Sequence, residues 1–373
     1  MIQLTITEND QQQRLDRFLK KYFRNAPLSR IYKMIRKDVK VNGKRAKEDT
    51  QLNLEDVVTV FISQEEANEL SARPAAVKAK RQFKIVYEDE NILLVEKPYG
   101  LLIHGDRTEK KNTLANQVVD YLIETGAYVP RREKTFVPSP VNRLDRNTTG
   151  IVIFGKNSLA LQALNRMLRE KEYIEKYYLT AVRGSLKEEL HLEDYLRKDE
   201  RNNQVEVSSQ KQEDSRAIET KARPVCKGCG YTLVEVHLIT GRTHQIRAHL
   251  ASAGYPVIGD EKYGDHAVNR KIQDRYGLSS QFLHAYRLRF ADAIAPLEYL
   301  KGREFTAPLP PLLETVKEGL FDGAKPAGDR RPERDRSEHP ARGRSEVGAG
   351  KYNAKNANNE KKRKKGNNKG GTK

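Results

Sequence analysis

The chain has 373 residues and a mass of 42.7 kDa, which at about 150 residues per domain is room for two or three units. Its 69 Lys+Arg against 51 Asp+Glu leave a formal net charge of +18, a balance that points to a polyanionic partner, nucleic acid first. No stretch approaches the roughly 18 consecutive apolar residues of a spanning helix. The opening residues lack the basic, apolar, small-residue order of a secretory signal. Two cysteines, Cys226 and Cys229, cannot build a disulfide framework. These features predict a cytoplasmic protein with no membrane segment.

Residues 1–62 carry a net charge of +5. Leu15, Phe18, Leu19 and Tyr22 fall at helical spacing, with Arg14, Arg17, Lys20 and Lys21 between them. A second helix is expected from Pro27, with Leu28, Ile31 and Ile35 on one face and Arg30, Lys33 and Lys37 together on the other. Val39-Lys40-Val41 then runs into Asn42-Gly43, a strong hairpin signal, followed by Lys44 and Arg45. A basic run on a helix is usually a solvated face. Here a basic helix meets a basic hairpin within one small unit, and binding to structured RNA is the better reading. Residues Val57 to Ile62 close the unit as a strand. This order of elements over residues 12–62 resembles the RNA-binding domain of the ribosomal protein S-four family. Residues 63–82 are polar and Ala-rich without sustained periodicity, and read as a linker.

The central region, residues 83–324, reads as long strands with a few helices. Strands are expected at Ile92–Val95, Ile151–Phe154, Tyr178–Val182 and Tyr231–Ile239. Helices are expected at Thr113–Ile123, after a capping Ser158, and at Arg242–Ala253. The pattern predicts an α+β domain with a mixed, largely antiparallel sheet. Beyond it, residues 325–373 carry +10 of the net charge with one Tyr and no Leu, Ile or Phe. Such a segment cannot offset its ordering entropy and reads as a disordered basic tail, either an electrostatic anchor on phosphates or a dispensable appendage.

Two polar stretches concentrate the candidate chemistry. In Asn142-Arg143-Leu144-Asp145-Arg146-Asn147-Thr148-Thr149-Gly150, Asp145 stands between cations that favour an ionised carboxylate, a candidate nucleophile or base. Taken alone, such a pattern is far more often a surface ion pair. In Gly241-Arg242-Thr243-His244-Gln245-Ile246-Arg247-Ala248-His249, the residues His244, Arg247 and His249 are expected along one helix that begins at a Gly turn. His244 and His249 are five apart rather than four, which argues against zinc, and the Cys226/Cys229 pair reads as a turn between strands; no metal is assigned.

Together with Lys97-Pro98-Tyr99-Gly100-Leu101-Leu102-Ile103-His104 and Lys176-Tyr177-Tyr178-Leu179, these stretches form four ordered blocks. They resemble the RluA/RluC/RluD-type pseudouridine synthases, over about residues 83–310. An S-four-like domain in front is a common layout of that family. The resemblance implies isomerisation of uridine to pseudouridine in RNA, large-subunit ribosomal RNA first, by a monomer with no cofactor and no metal. It assigns the catalytic carboxylate to Asp145, which either attacks the anomeric carbon or assists deprotonation of its neighbour. It assigns base stacking to Tyr178 and pairing with the aspartate to Arg247. Arg143 would support the place or the phosphate of the flipped nucleotide, and Lys97 and Arg242 would contact RNA, with Lys97 and His104 alternatively holding the fold. Asn142 stands where many members have His and Thr149 where they have Ser, and Thr180 is placed near the base pocket. The other reading is a noncatalytic RNA-binding or ribosome-assembly factor that kept the fold. Presence of Asp145, Tyr178 and Arg247 together favours the enzyme.

Overall fold

The computed structural model describes residues 1–72, 80–130, 133, 135–199 and 204–321. The basic tail expected at 325–373 and the middle of the expected linker lie outside the described residues. The N-terminal unit holds strands β1 (Ile2–Thr5) and β2 (Gln13–Arg14), helices α1 (Leu15–Tyr22) and α2 (Leu28–Asp38), strands β3 (Val39–Val41), β4 (Lys44–Arg45), β5 (Gln51–Leu52) and β6 (Val57–Val60), then helix α3 (Gln64–Ser71). Leu15, Phe18 and Leu19 of α1 and Ile31, Met34 and Ile35 of α2 bury against Val58 and Val60 of β6. Leu28 does not join that face and is 49% exposed: at the first helical position it precedes the stripe that Ile31 begins. Asn42 and Gly43 both take positive φ (49° and 77°), the left-handed pair that a tight hairpin requires. Helix α3 stands where the sequence reads as linker. Ser63 caps it by accepting from Glu66 N, and Ala67 seats it on the small core.

The larger part runs β7 (Lys84–Glu88), β8 (Ile92–Lys97), α4 (Leu114–Glu124), β9 (Ser139–Pro140), β10 (Thr149–Gly155), α5 (Ser158–Glu170), β11 (Ile174–Arg183), β12 (Leu190–Asp199), β13 (Gln204–Ser208), β14 (Arg216–Gly228), β15 (Tyr231–Leu238), α6 (Gln245–Ser252), α7 (His266–Tyr276), β16 (Leu283–Phe290), β17 (Glu304–Thr306) and α8 (Pro311–Phe321). Eleven strands form one sheet in the order β13-β12-β14-β15-β11-β16-β10-β8-β7, with β17 on β16 and β9 on β10. Its pairings are antiparallel except β10 with β16, where Thr149 faces His284 and Gly150 faces Ala285. The α+β class with a mixed, largely antiparallel sheet is therefore the one observed.

Both faces of the central strands are covered, which explains their unbroken apolar runs. Leu93, Val95, Val152 and Phe154 pack with α4 and α6 on one face, while Ile92, Leu94, Ile151 and Ile153 pack with α5 on the other. Helix α5 begins one residue earlier than a capping Ser158 would allow, because Asn157 supplies the cap by accepting from Ala160 N. Cys226 and Cys229 lie by the tight β14–β15 turn and are not joined in a disulfide.

Gly150 is fixed by the parallel pairing. It has φ +111°, and a Cβ there would lie 2.2 Å from Ala285 O, so only glycine lets β16 approach the strand that follows Asp145. We expect Gly150→Ala to destabilise the protein by about 1–3 kcal/mol, read as a lowered denaturation midpoint in urea; an unchanged midpoint would contradict this packing.

Candidate active site

The sheet and α6 bring the polar blocks to one cavity of about 460 Å³, lined among others by Arg143, Asp145, Tyr178, Lys176, Arg242 and Arg247, a size suited to a small organic group. Asp145 sits on the loop before β10, where its backbone carbonyl accepts from Thr148 N. Arg247 projects from α6 and donates from Nη1 to Asp145 Oδ2 at 2.9 Å. Its other edge forms a bidentate pair with Asp260, Nε to Oδ2 at 2.6 Å and Nη2 to Oδ1 at 2.8 Å. Asp260 is wholly buried and is held in turn by Lys262 N and Tyr263 N.

Burial opposes the Arg247 charge, yet Asp260 first and Asp145 next raise its pKa above the ordinary arginine value. Burial likewise opposes ionisation of Asp260, and Arg247 with the two backbone N–H groups holds its carboxyl below the usual value. Asp145 is the more open member, with about a quarter of its side chain exposed. Its Oδ1 has no hydrogen-bond partner among the described residues. One oxygen is thus fixed and the other is presented, the arrangement a nucleophile or general base needs.

His244, at positive φ just before α6, places Nε2 3.9 Å from Asp145 Oδ2. Its Nδ1 meets the Tyr263 hydroxyl at 3.0 Å. Burial lowers the His244 pKa, so the ring is neutral at physiological pH. Gln245 fixes the turn ahead of α6: its Oε1 accepts from Arg242 N and Thr240 Oγ1, and its Nε2 donates to Glu219 O and Thr220 Oγ1. Tyr178 is buried on β11 and lines the cavity. Burial, then the Asp145 charge, raises its pKa and keeps the phenol protonated.

Asp145, Tyr178, Arg247, Arg143 and Arg242 are therefore brought together. Lys97 is not. Expected to contact RNA or to hold the fold, it is fully buried, with Nζ donating to Pro98 O, Leu101 O and Arg146 O at 2.8–3.0 Å. The sequence context of a Lys-Pro block cannot reveal this, because one of its acceptors arrives from 49 residues away. Burial pulls the amine down to about 7; its task is to tie its own turn to the Asp145 loop. Thr180, expected near the base pocket, donates instead to Phe282 O and is not part of the lining. Asn142 braces β10, donating to Ile151 O and accepting from Ile153 N.

His244, Arg247 and His249 do not share one role along α6. His249 turns away from the cavity to Thr220 Oγ1 and Asp194 Oδ2. Residue patterning did not single out Asp260, which holds Arg247 from behind the cavity, or Arg169, Lys171 and Lys176, which line it. Asp260's signal was its place in the Gly259-Asp260 turn after α6. Arg30 is paired with Glu66 of α3 at 2.5 Å, whereas Lys33, Lys37, Lys44 and Arg45 are exposed.

Fold and cavity together place one open carboxylate within a cationic site. Residues 91–252 match the family described as RNA pseudouridylate synthase. The ribosomal large subunit pseudouridine synthase C of Haemophilus ducreyi is 34% identical over 324 residues, covering 84% of this chain and 93% of that one. The protein of the same name from Escherichia coli is 34% identical over 298 residues, 77% and 88% of the two chains. A solved structure of human RNA pseudouridylate synthase domain containing 4 shares the fold at a TM-score of 0.50 and 19% identity, covering 63% of this chain and 91% of that one. The chain belongs to the RNA pseudouridine synthase family and is an isomerase of that class. Among the described residues no helix is long and apolar enough to cross a membrane.

Two predictions test the site's supports. Asp260→Asn should lower kcat by about 10²-fold through loss of Arg247 orientation, with RNA affinity in a filter-binding assay unchanged; an unaltered kcat would contradict the shared-arginine geometry. The second concerns pH. Burial depresses the pKa of His249 and His284 below 6.5. The unfolded chain then binds these protons more readily, so stability is full above about pH 6.5 and falls as the pH drops through the folded values. The urea midpoint should decline between pH 7.5 and 5.5, and decline less in His249→Gln.

Proposed function

We propose that this chain converts specific uridines to pseudouridine in large-subunit ribosomal RNA, with Asp145 as the catalytic carboxylate. The observation that carries the reading is the Asp145 carboxylate itself, tied through Oδ2 to a buried Arg247 and open through Oδ1 to the cavity. The substrate assignment is supported by the names of the relatives.

To reach this cavity a uridine leaves its stack, at a cost of a few kcal/mol that contacts inside the pocket offset. The buried Tyr178 ring offers a stacking surface, and its protonated hydroxyl is a donor rather than a base. Asp145 then acts at the ribose, either adding to the anomeric carbon or taking the proton from its neighbour, and the bond from that carbon to N1 of uracil breaks. The uracil turns and its C5 bonds to the anomeric carbon, as the bond to Asp145 breaks on the first route or as Asp145 returns the proton to the neighbouring carbon on the second. C5 then loses its proton and N1 gains one. Atoms balance without a co-reactant, as an isomerisation requires. Arg247 keeps the carboxylate charged and aimed throughout. Arg143, exposed at the rim, supports the flipped nucleotide.

Residues 1–62 form the S-four-like RNA-binding domain in this reading, followed by a linker at 63–82 and the catalytic domain at 83–324. The exposed Lys33, Lys37, Lys44 and Arg45 support it, as counterions that select structured RNA by shape and phosphate.

Asp145→Asn is expected to lower pseudouridine formation by about 10³-fold or more while leaving RNA affinity largely intact. Carbodiimide labelling and primer extension on unmodified ribosomal RNA would read the product and its positions. A variant that still forms pseudouridine sinks the assignment, and a wild-type chain that forms none favours the noncatalytic binder.

A further inference from the structure

Six cations line the cavity, Arg143, Arg169, Lys171, Lys176, Arg242 and Arg247, against one carboxylate, Asp145. Arg247 is already matched by Asp145 and Asp260. The other five form no ion pair among the described residues, although arginines elsewhere, such as Arg14, Arg197 and Arg223, are paired with acids. The surplus is greatest where α5 turns into β11.

Lys171 follows the last residue of α5 with φ +64°. That left-handed position usually belongs to glycine, because a side chain there costs about 1 kcal/mol. Here it carries an exposed lysine that lines the cavity. Five residues on, Lys176 of β11 lines the same cavity and has no protein partner among the described residues. The two ammonium groups repel one another, and burial with that repulsion brings Lys176 down to about 8. Two like charges held in one partly desolvated wall, one of them on a strained backbone, stabilise nothing in the free protein.

Gly241 completes the corner. Its φ is not in the left-handed region, and the one atom a Cβ there would meet is Lys176 Nζ, at 3.9 Å. A Cβ there would be in ordinary van der Waals contact with the amine, which places residue 241 beside Lys176.

We propose that Lys171 and Lys176 grip a phosphodiester of the RNA backbone beside the target uridine. These are positioning residues, and the proposal rests on the reading of Asp145 as acting on RNA. A phosphate between the two amines relieves their repulsion and sets the ribose against Asp145. The five unpaired cations would divide between this grip and the Arg143/Arg242 side of the cavity.

The test uses the full chain and a short ribosomal RNA fragment containing a mapped target uridine. Lys171→Gly relaxes the left-handed backbone, so its Tm should equal or exceed that of the unaltered protein while KM rises about tenfold. Lys176→Gln should raise KM similarly, and Lys176→Arg should restore most of the loss. Replacing each linkage flanking the uridine by a neutral methylphosphonate should slow the unaltered enzyme about tenfold at one linkage, and that penalty should disappear in Lys171→Gly. Unchanged KM in both lysine variants, or the same methylphosphonate penalty in every protein, overturns the proposal.

Lysine acetylation read by mass spectrometry decides the site without activity. RNA should protect Lys171 and Lys176 at least fivefold, and equal labelling with and without RNA overturns the grip. If no pseudouridine forms in any ribosomal RNA, the functional reading fails while this footprint still tells whether the phosphate site exists. Protection by inorganic pyrophosphate equal to that by RNA would assign the site to a free polyphosphate and overturn the RNA grip.

Discussion

A single buried guanidinium shared between two carboxylates sets the geometry on which the rest of the site depends. Removing Arg247 from water is expensive, and the bidentate pair with Asp260 offsets that cost with two aligned bonds. Because the guanidinium is planar, fixing Nε and Nη2 also fixes the direction of Nη1, which is the bond to Asp145. Asp260 is immobile because backbone N–H groups of the following turn hold it. The orientation of the open carboxylate therefore traces back to a tight turn after α6 rather than to the Asp145 loop alone.

The loop is constrained independently from its other side. Lys97 binds the carbonyl of Arg146, next to Asp145, and Gly150 allows β10 to lie against β16. His284 reinforces that junction, taking Thr149 Oγ1 at Nδ1 and facing Ala307 O with Nε2. A carbonyl can only accept, so Nε2 carries the proton and Nδ1 accepts from the threonine. Three distant segments thus converge on the eight-residue loop between β9 and β10, which leaves the carboxylate little freedom to swing away from Arg247.

Much of this was legible in the residues, in proportion to how local the cause is. Apolar runs in β8, β10 and β15, the Asn42-Gly43 turn and the basic face of α2 follow from periodicity and turn chemistry. The pairing of Arg247 with Asp145 came through the resemblance of the blocks, and the structure brings these residues within hydrogen-bond distance. What escaped depends on contacts far apart in the chain. Nothing near Lys97 says that three carbonyls will surround its amine. Nothing near Asp260 announces a partner in α6. His249, five residues from His244, takes a different face because α6 begins only at Gln245. Helix α3 was hidden because eight residues with one buried alanine give almost no periodicity, and its cap and its contact with α2 supply the stability.

The distribution of charge separates attraction from chemistry. Residues 63–324 carry a net charge of only +3, yet the cavity presents five cations without acidic partners among the described residues. The exposed lysines of α2 and the hairpin face bulk solvent, where salt screens them within about 10 Å. Of the cavity cations, Arg143, Arg169, Lys171 and Arg242 are exposed as well, whereas Lys176 and Arg247 are largely withdrawn from solvent and are screened less. In the proposed reading, long-range capture of RNA belongs to the exposed groups and weakens with ionic strength, while placement of the ribose against Asp145 depends on Lys176 and Arg247, which salt reaches poorly. An enzyme built this way can be outcompeted for its RNA by salt or by other polyanions and still, once the nucleotide is seated, hold it in the same geometry.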